Sequence, residues 1–321
     1  MFKVRVNRGN NLALNIDFTN LIKFISCWLI ALHHFAQYQL SHNLSSHPLF
    51  LILSAQGGYL GVAIFFFLSG YGLTQSYNSR SLDFFPFLKH RLIKVYTPVI
   101  LLSLVYSIIS LVSSHDLGIV YRSFLSIILC HGYLWFVAVI LLCYVSFIIY
   151  KYLHKSINNG IYTLLFLLLF VVILCLFTSK VWLSSYHSMS IPLFYCGVLV
   201  CEYEKYLKSF LNKNIFVVIT FIVFISIMMI CDLLDVDIVY FSKYAFVNYI
   251  FILCLIVFSA RYDLQVSIKT ITSASYDIYL VHQKVIDTIF VYCNDISVLL
   301  YVFIVSICSY IFYHIRKCCK I

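Results

Sequence analysis

The sequence predicts an all-α, polytopic membrane protein with about ten transmembrane helices and both termini in the cytoplasm. The first observation behind this prediction is composition, because 63% of the 321 residues are hydrophobic and only 11% are charged, against roughly 25% charged in soluble domains. The mean hydropathy of +0.97 also excludes a disordered chain, which needs low hydrophobicity. The other two observations are the lengths of the apolar runs and the distribution of the basic residues.

Ten apolar runs approach the ~20 residues that a helix needs to cross a bilayer. They cover residues 18–38, 57–77, 96–113, 133–150, 161–178, 190–203, 215–231, 244–260, 274–292 and 296–315. The sixth run is short for a crossing. A further apolar stretch at 119–131 is shorter still, and it is a re-entrant segment, an interfacial segment or the start of the fourth helix.

The basic residues predict the orientation of these helices. With the N-terminus inside, 17 of the 22 lysines and arginines fall on inner segments and three on outer loops, while Lys23 and Lys284 lie within spans. Positive residues accumulate on the cytoplasmic side of membrane proteins, which supports this topology. The same placement accounts for the net charge of +10 without a nucleic-acid partner, because the basic residues are spread over short loops along one membrane face.

The loops between the runs are short, and the longest inner loop covers residues 78–95. We therefore expect residues 1–321 to form a single integral-membrane domain without a fused soluble domain. The twelve cysteines include no Cys-x-x-Cys pair and no zinc-type histidine spacing, so the sequence predicts no metal site.

The first run contains three ionisable residues, Lys23, His33 and His34. Ionisable side chains inside a membrane are costly and are candidates for function. Lys23 and His34 are eleven positions apart, so on a helix they share one face and are separated by ~16 Å along the axis. Taken singly, Lys23 is also compatible with a snorkelling lysine, and one membrane histidine with a packing residue. The pair on one face favours a functional site.

Three other segments have two interpretations each. The stretch from Gly61 to Gly72 is rich in small residues, which indicates close helix packing, but it also contains Ser69. Arg91 and Lys94 would share a helix face, although basic residues also flank inner helix ends for topological reasons. Trp135, at the start of the fourth run, is typical of an outer aromatic belt.

The ninth run contains His282 near its middle, followed by Lys284 and Asp287. Lys284 and Asp287 are spaced to pair at i, i+3, and this pair would lower the cost of both charges in the membrane. His282 is then a second membrane histidine with a candidate role in function.

Together these motifs resemble those of the acyltransferase family 3 membrane proteins, which include bacterial O-antigen and exopolysaccharide O-acetylases. The matching segments occur in the family's order. Lys23 and His34 match a basic residue followed by ten positions and a histidine, and Gly61 to Gly70 match the motif Gly-Val-x-x-Phe-Phe-x-x-Ser-Gly. Arg91, Lys94 and Pro98 match Arg-x-x-Arg followed by proline, and the segments Leu134-Trp135-Phe136 and Ser275 to His282 also match. The chain departs from the family in having Lys23 for the usual arginine, Ala63 for an acidic residue or proline, and Tyr133 where a histidine often precedes the Trp-Phe pair.

The resemblance implies transfer of an acyl group, most often acetyl, from acyl-CoA to a hydroxyl of a surface polysaccharide or lipid-linked glycan, in the inner membrane of a bacterium. It implies no permanently bound cofactor, because acyl-CoA is the donor substrate. His34 is then the general base, with an acyl-histidine intermediate as the open alternative, and Lys23 assists along the same face. Arg91 and Lys94 would bind the CoA phosphates. Contacts to the acceptor or the oxyanion are expected from His33, Ser69, Trp135 and His282.

The alternative function is that of a non-enzymatic glycan transporter or an assembly partner for surface glycans. The chain has only 10 glycines and 4 prolines, which disfavours the broken helices typical of transporters. A glycan polymerase would need a large outer loop, and every predicted outer loop is short. The sequence identifies neither the acceptor sugar nor the hydroxyl that is modified.

Overall fold

The computed structural model describes residues 4–8, 14, 16–79, 84–157, 169, 173, 190–204, 206–207, 247–258, 262–266, 274–293 and 296–319. They belong to two compact units. The first unit comprises Met1–Arg80 and Ser185–Ser275, and the second comprises Ser81–Ser184 and Tyr276–Ile321. The described residues of both units are mainly α-helical, which confirms the predicted helical class.

The elements follow one another along the chain with short connections between most of the described helices. In chain order they are β1 (Val4–Arg8), α1 (Ile16–Ser41), α2 (Pro48–Ile52), a π-helical turn (Leu53–Gly57), α3 (Gly58–Asn78), α4 (Phe84–Ser114), α5 (Leu117–Ile128), a 3₁₀ turn (Gly132–Leu134), α6 (Trp135–Ile157), α7 (Ile191–Glu202), α8 (Val247–Phe258), β2 (Tyr262–Val266), α9 (Ser275–Tyr292) and α10 (Val298–Cys318).

Close contacts at glycines hold α1 against α3 in the first unit. A Cβ placed on Gly61 would lie 2.8 Å from the Ser26 carbonyl oxygen, and one on Gly57 would lie 3.1 Å from the Leu29 carbonyl oxygen. The two helices therefore run in opposite directions, since moving forward along α3 moves backward along α1. Small residues permit this approach, which in a membrane takes the place of a hydrophobic driving force between helices.

Helix α7 packs on α3 in the same way. A Cβ on Gly70 would collide with the Phe194 carbonyl oxygen, and one on Gly197 would collide with the Phe67 carbonyl oxygen. The small-residue pattern from Gly61 to Gly70 is thus a packing motif on both sides of α3, which is one of its two predicted interpretations.

A two-stranded antiparallel ribbon in the first unit joins the start of the chain to the segment before α9. Val4 lies opposite Val266 and Arg8 lies opposite Tyr262. The all-α prediction did not include this ribbon.

In the second unit, α5 folds back along α4. The Tyr96 hydroxyl donates a hydrogen bond to the Ile128 carbonyl oxygen over 2.7 Å, so the end of α5 lies beside the first half of α4. The chain then turns through Cys130 and Gly132, at φ of 54° and 65°; the latter suits glycine, which has no Cβ to clash in this region. The stretch 119–131 is therefore a helix of its own, separate from α6.

Helices α9 and α10 form a hairpin in the second unit. The Ser297 side chain caps α10 by accepting a hydrogen bond from the Leu300 backbone N–H over 3.2 Å. Asp277 in the first turn of α9 meets Arg316 in the last turn of α10, so the two helices are antiparallel. Each charge lies at the helix end whose dipole favours it.

Within the described part of the chain, five helical segments are long and apolar enough to cross a membrane. They are Ile16–Ser41, Pro48–Asn78, Pro86–Val112, Leu117–His154 and Val298–Cys318, which correspond to the first four predicted runs and the tenth. The sixth and eighth runs contain the shorter apolar helices α7 and α8. Helix α9 covers the ninth run and has 18 residues, three of them charged. Apart from positions 169 and 173, the predicted runs 161–178 and 215–231 lie outside the described residues.

Candidate active site

His33 on α1 is enclosed by the segment that begins the second helical span. Its side chain is buried, with 6% of its surface exposed, and its Nδ1 lies 2.9 Å from the Leu53 carbonyl oxygen. A carbonyl oxygen only accepts hydrogen bonds, so Nδ1 carries the proton and donates it. In the neutral ring, Nε2 is then the unprotonated nitrogen.

The partner of His33 belongs to an unusual stretch of backbone, the π-helical turn Leu53–Gly57. Such turns appear as single bulges within α-helices, frequently at functional sites. A Cβ on Gly58, directly after the turn, would lie 2.7 Å from Nε2 of His33, so glycine at this position makes room for the imidazole. This packing of the His33 ring against Gly58, called here the seat of His33, was not predicted, although the two consecutive glycines at the start of the second apolar run indicate a close contact there.

His34 is half-buried and lies beside His33. The two ring centroids are 5.0 Å apart with an interplanar angle of 69°. The ring centroid of Tyr59, which belongs to α3, lies 5.9 Å from that of His33. Lys23 is also half-buried. Because α1 is one unbroken helix from Ile16 to Ser41, Lys23 and His34 do share a face, with ~16 Å between them along the axis.

Ser69 lies far from the two histidines within the first unit. It is half-buried on α3, eleven residues after Gly58, which is ~16 Å along the helix from the seat of His33. Since α1 and α3 are antiparallel, this displacement moves toward the Lys23 end of α1. The structure therefore groups Ser69 with Lys23 rather than with His33 and His34.

Arg91 and Lys94 lie on a helix in the second unit. The sequence placed both residues in an inner loop, but α4 begins at Phe84, so its first three turns form the end of that loop. Arg91 is half-buried and Lys94 is exposed, and the Arg91 guanidinium lies 5.4 Å from the centroid of the Phe87 ring. The predicted shared helix face follows from their spacing on this helix.

His282 is the centre of a buried aromatic cluster in the second unit. Its side chain has 0% exposure, and its Nδ1 lies 2.6 Å from the Tyr279 carbonyl oxygen. The Tyr133 ring lies 5.6 Å away, and the Tyr133 hydroxyl donates a hydrogen bond to the Leu280 carbonyl oxygen over 3.0 Å. Tyr133 is thus tied into the helix packing of the second unit. Trp135 is half-buried at the start of α6.

The pair predicted between Lys284 and Asp287 is present, with 3.3 Å between Nζ and Oδ2. The Lys284 ammonium also lies 4.5 Å from the centroid of the Tyr106 ring, a cation–π distance. Tyr106 and Lys284 also line a mostly apolar cavity of about 310 Å³ between α4, α9 and α10.

One strong interaction was missed by the sequence analysis. Arg316 holds Asp277 with two parallel hydrogen bonds, Nε to Oδ1 over 3.0 Å and an Nη to Oδ2 over 2.9 Å. The Asp277 side chain is 0% exposed and that of Arg316 is 16% exposed. Sequence reasoning counted Arg316 only as an inner topological charge, although an acid in the ninth run and a base ending the tenth were a signal for the pair. No group of three or more metal-ligand side chains occurs within the described ranges.

The family model for the acyltransferase domain of acyltransferase family 3 matches the chain over residues 16–314. The chain belongs to acyltransferase family 3. The match begins with the first residue of α1 and ends within α10, so it includes both units of this family member. No curated protein and no solved structure matches the chain.

The motif residues of this family 3 acyltransferase fall into two classes in the structure. Gly61 and Gly70 serve helix packing. Lys23, His33 and His34 lie on a helix that is long and apolar enough to cross a membrane, where ionisable side chains are candidates for function.

Proposed function

We propose that this family 3 acyltransferase moves an acyl group, expected to be acetyl, from acyl-CoA to a hydroxyl of a surface polysaccharide or lipid-linked glycan in a bacterial inner membrane. Family membership supports acyl transfer, and the helices that are long and apolar enough to span a membrane support its location. The observation that carries the chemical proposal is the half-buried His34, which lies beside the anchored His33 and on the same helix face as Lys23.

His34 acts as the general base in this proposal. It takes the proton from the acceptor hydroxyl while the hydroxyl oxygen forms a C–O bond to the thioester carbonyl carbon. The C–S bond then breaks, and the departing thiolate takes the proton back from the imidazolium, which yields the ester and free CoA. Histidine suits both transfers because its ordinary pKa lies near neutrality, and such a base contributes ~10²–10⁴ in rate.

Three basic side chains are the proposed partners of the anionic donor. Arg91 and Lys94 form charge-assisted hydrogen bonds to the CoA phosphates, which are stronger than neutral ones. Lys23 supports charge along the face that it shares with His34, and the position of Ser69 near the Lys23 end of α1 favours a contact to the donor over one to the acceptor.

His282 and Trp135 are proposed acceptor contacts. With Nδ1 of His282 bonded to the Tyr279 carbonyl, a neutral ring keeps Nε2 as a hydrogen-bond acceptor, which suits a sugar hydroxyl. An indole at the start of α6 offers an apolar face and one N–H donor, a combination that also fits a sugar ring.

The direct test uses the purified protein in detergent with radiolabelled acetyl-CoA and glycan lipid extracted from host membranes. We expect saturable acetyl-CoA binding and transfer of label to the glycan fraction. A folded preparation that neither binds acetyl-CoA nor labels the glycan would contradict the proposal and favour a transporter or an assembly partner. In the host, deletion of the gene should remove the mass of one acetyl group from the surface glycan.

A further inference from the structure

The direction of the His33 ring separates its role from that of His34. Nδ1 of His33 faces the Leu53 carbonyl oxygen at 2.9 Å, and the ring lies against Gly58, where a Cβ would come within 2.8 Å of three ring atoms. Nδ1 is thus bonded to the backbone of the π-helical turn and is not presented to a substrate. The sequence-based expectation that His33 contacts the acceptor stays a prediction.

His33 also belongs to the stripe of α1 that faces α3. Ser26 and Ile30 of this stripe meet Gly61. At 100° per residue, Ile30 lies about 40° from Ser26 and His33 about 20° on the other side. His34 lies about 80° from Ser26 and Lys23 about 60°, in the same direction. Any rotation of α1 that unseats His33 therefore turns the face of Lys23 and His34 by the same angle.

We propose that His33 is a positioning residue whose Nδ1–H bond to the π-helical turn sets the rotation of α1 and supports the His34 ring. The proposal rests on the proposed function, since the group that His33 positions is the general base His34. The bond joins residues 20 positions apart on two neighbouring helices, so it acts on the helix and not only on its own side chain. Misplacement of a catalytic group by about 1 Å can cost ~10²-fold in rate.

The first experiment compares His33→Asn with His33→Leu. The Asn side-chain amide places an N–H donor at the position of Nδ1, so His33→Asn should keep most of kcat, whereas His33→Leu should lose ~10²-fold with little change in KM for acetyl-CoA. If both variants are inactive, His33 has a chemical role and the proposal is wrong. If both are active, the bond to Leu53 positions nothing.

The second experiment uses two glycines of the same helix. Gly58→Ala places a Cβ against the His33 ring, while Gly72→Ala meets no atom within 4 Å. We expect Gly58→Ala to lower kcat as His33→Leu does, and Gly72→Ala to match the wild type. Equal kcat values for the two variants would contradict the claim that the contact of His33 with Gly58 positions the helix.

A third measurement does not depend on activity. Solid-state ¹⁵N NMR of histidine-labelled protein in lipid, with His33→Asn as the difference spectrum, should show a neutral His33 ring protonated at Nδ1. A ring protonated at Nε2 overturns the proposal even if the enzyme is active. Conversely, the Nδ1 form in a protein that transfers no acyl group would leave the seat in place and refute the proposed function alone.

Discussion

The two units hold their helices together by different means. In the first unit, Gly61, Gly70 and Gly197 bring helix backbones into direct contact. In the second unit, polar side chains connect the helices. Arg316 forms an ion pair with Asp277, and the Tyr133 hydroxyl donates a hydrogen bond to the Leu280 carbonyl oxygen. Because lipid tails are as apolar as leucine, membrane helices need one of these two devices to associate. The first device needs no long polar side chain, although His33 adds one hydrogen bond between α1 and the π-helical turn.

The largest effect on stability should follow the loss of the buried ion pair in the second unit. Arg316→Ala leaves the Asp277 carboxylate buried without its partner, which costs ~3–5 kcal/mol. The matched control is Lys317→Ala, which removes an exposed charge one residue further along α10. Thermal unfolding of both variants in the same detergent measures the difference.

A double variant tests whether the stability lost in Arg316→Ala comes from the unpaired charge. Asp277→Leu combined with Arg316→Leu removes both charges, and apolar replacement of a buried pair is often neutral or stabilising, so stability should largely return. Equal unfolding temperatures for Arg316→Ala and Lys317→Ala would mean that this pair does not hold α9 to α10.

The first unit should respond to added volume rather than to lost charge. Gly70→Ala forces a Cβ against the Phe194 carbonyl oxygen, and overpacking of this kind typically costs ~1–3 kcal/mol. Gly72→Ala, two residues away, meets open space and should be neutral or slightly stabilising, because alanine favours a helix by about 1 kcal/mol over glycine. If both variants unfold at the wild-type temperature, close packing at glycine is not what holds α7 to α3.

The smallest effect should come from a neutral hydrogen bond in the second unit. Tyr106→Phe removes the hydroxyl that lies 3.2 Å from the Thr288 hydroxyl but keeps the ring beside Lys284. Hydrogen bonds between membrane helices average about 0.6 kcal/mol, so the unfolding temperature should fall only slightly. A decrease in unfolding temperature as large as that of Arg316→Ala would contradict this order of effects, because the hydroxyl would then contribute as much to stability as the ion pair.

The parts of the fold that could be predicted depend on local sequence. The runs at 18–38, 57–77 and 296–315 are apolar over a full membrane thickness, and helices α1, α3 and α10 cover them. The shared face of Lys23 and His34 was predictable because it follows from helix geometry alone. The start of α4 was not, because the charged residues from Lys89 to Lys94 lower hydropathy without ending a helix.

The parts that could not be predicted depend on contacts between distant residues. The bond from His33 to Leu53 needs two helices in place, the pair of Asp277 and Arg316 spans 39 positions, and β1 finds its partner near the other end of the chain. The hydrophobic periodicity and the composition of the sequence carry no information about which distant residues pair. The residue types of the candidate site were therefore predictable from the sequence, while the contacts of His33 with the π-helical turn were not.

The measurement that tests the central claim most directly is acetyl transfer by His34→Ala. Wild type, His34→Ala and the exposed-histidine control His42→Ala are assayed side by side with radiolabelled acetyl-CoA, after each is shown to fold and to bind the donor. The account predicts that His34→Ala loses at least about 10²-fold in transfer rate with donor binding retained, and that His42→Ala matches the wild type. A wild-type rate for His34→Ala would contradict the assignment of His34 as general base.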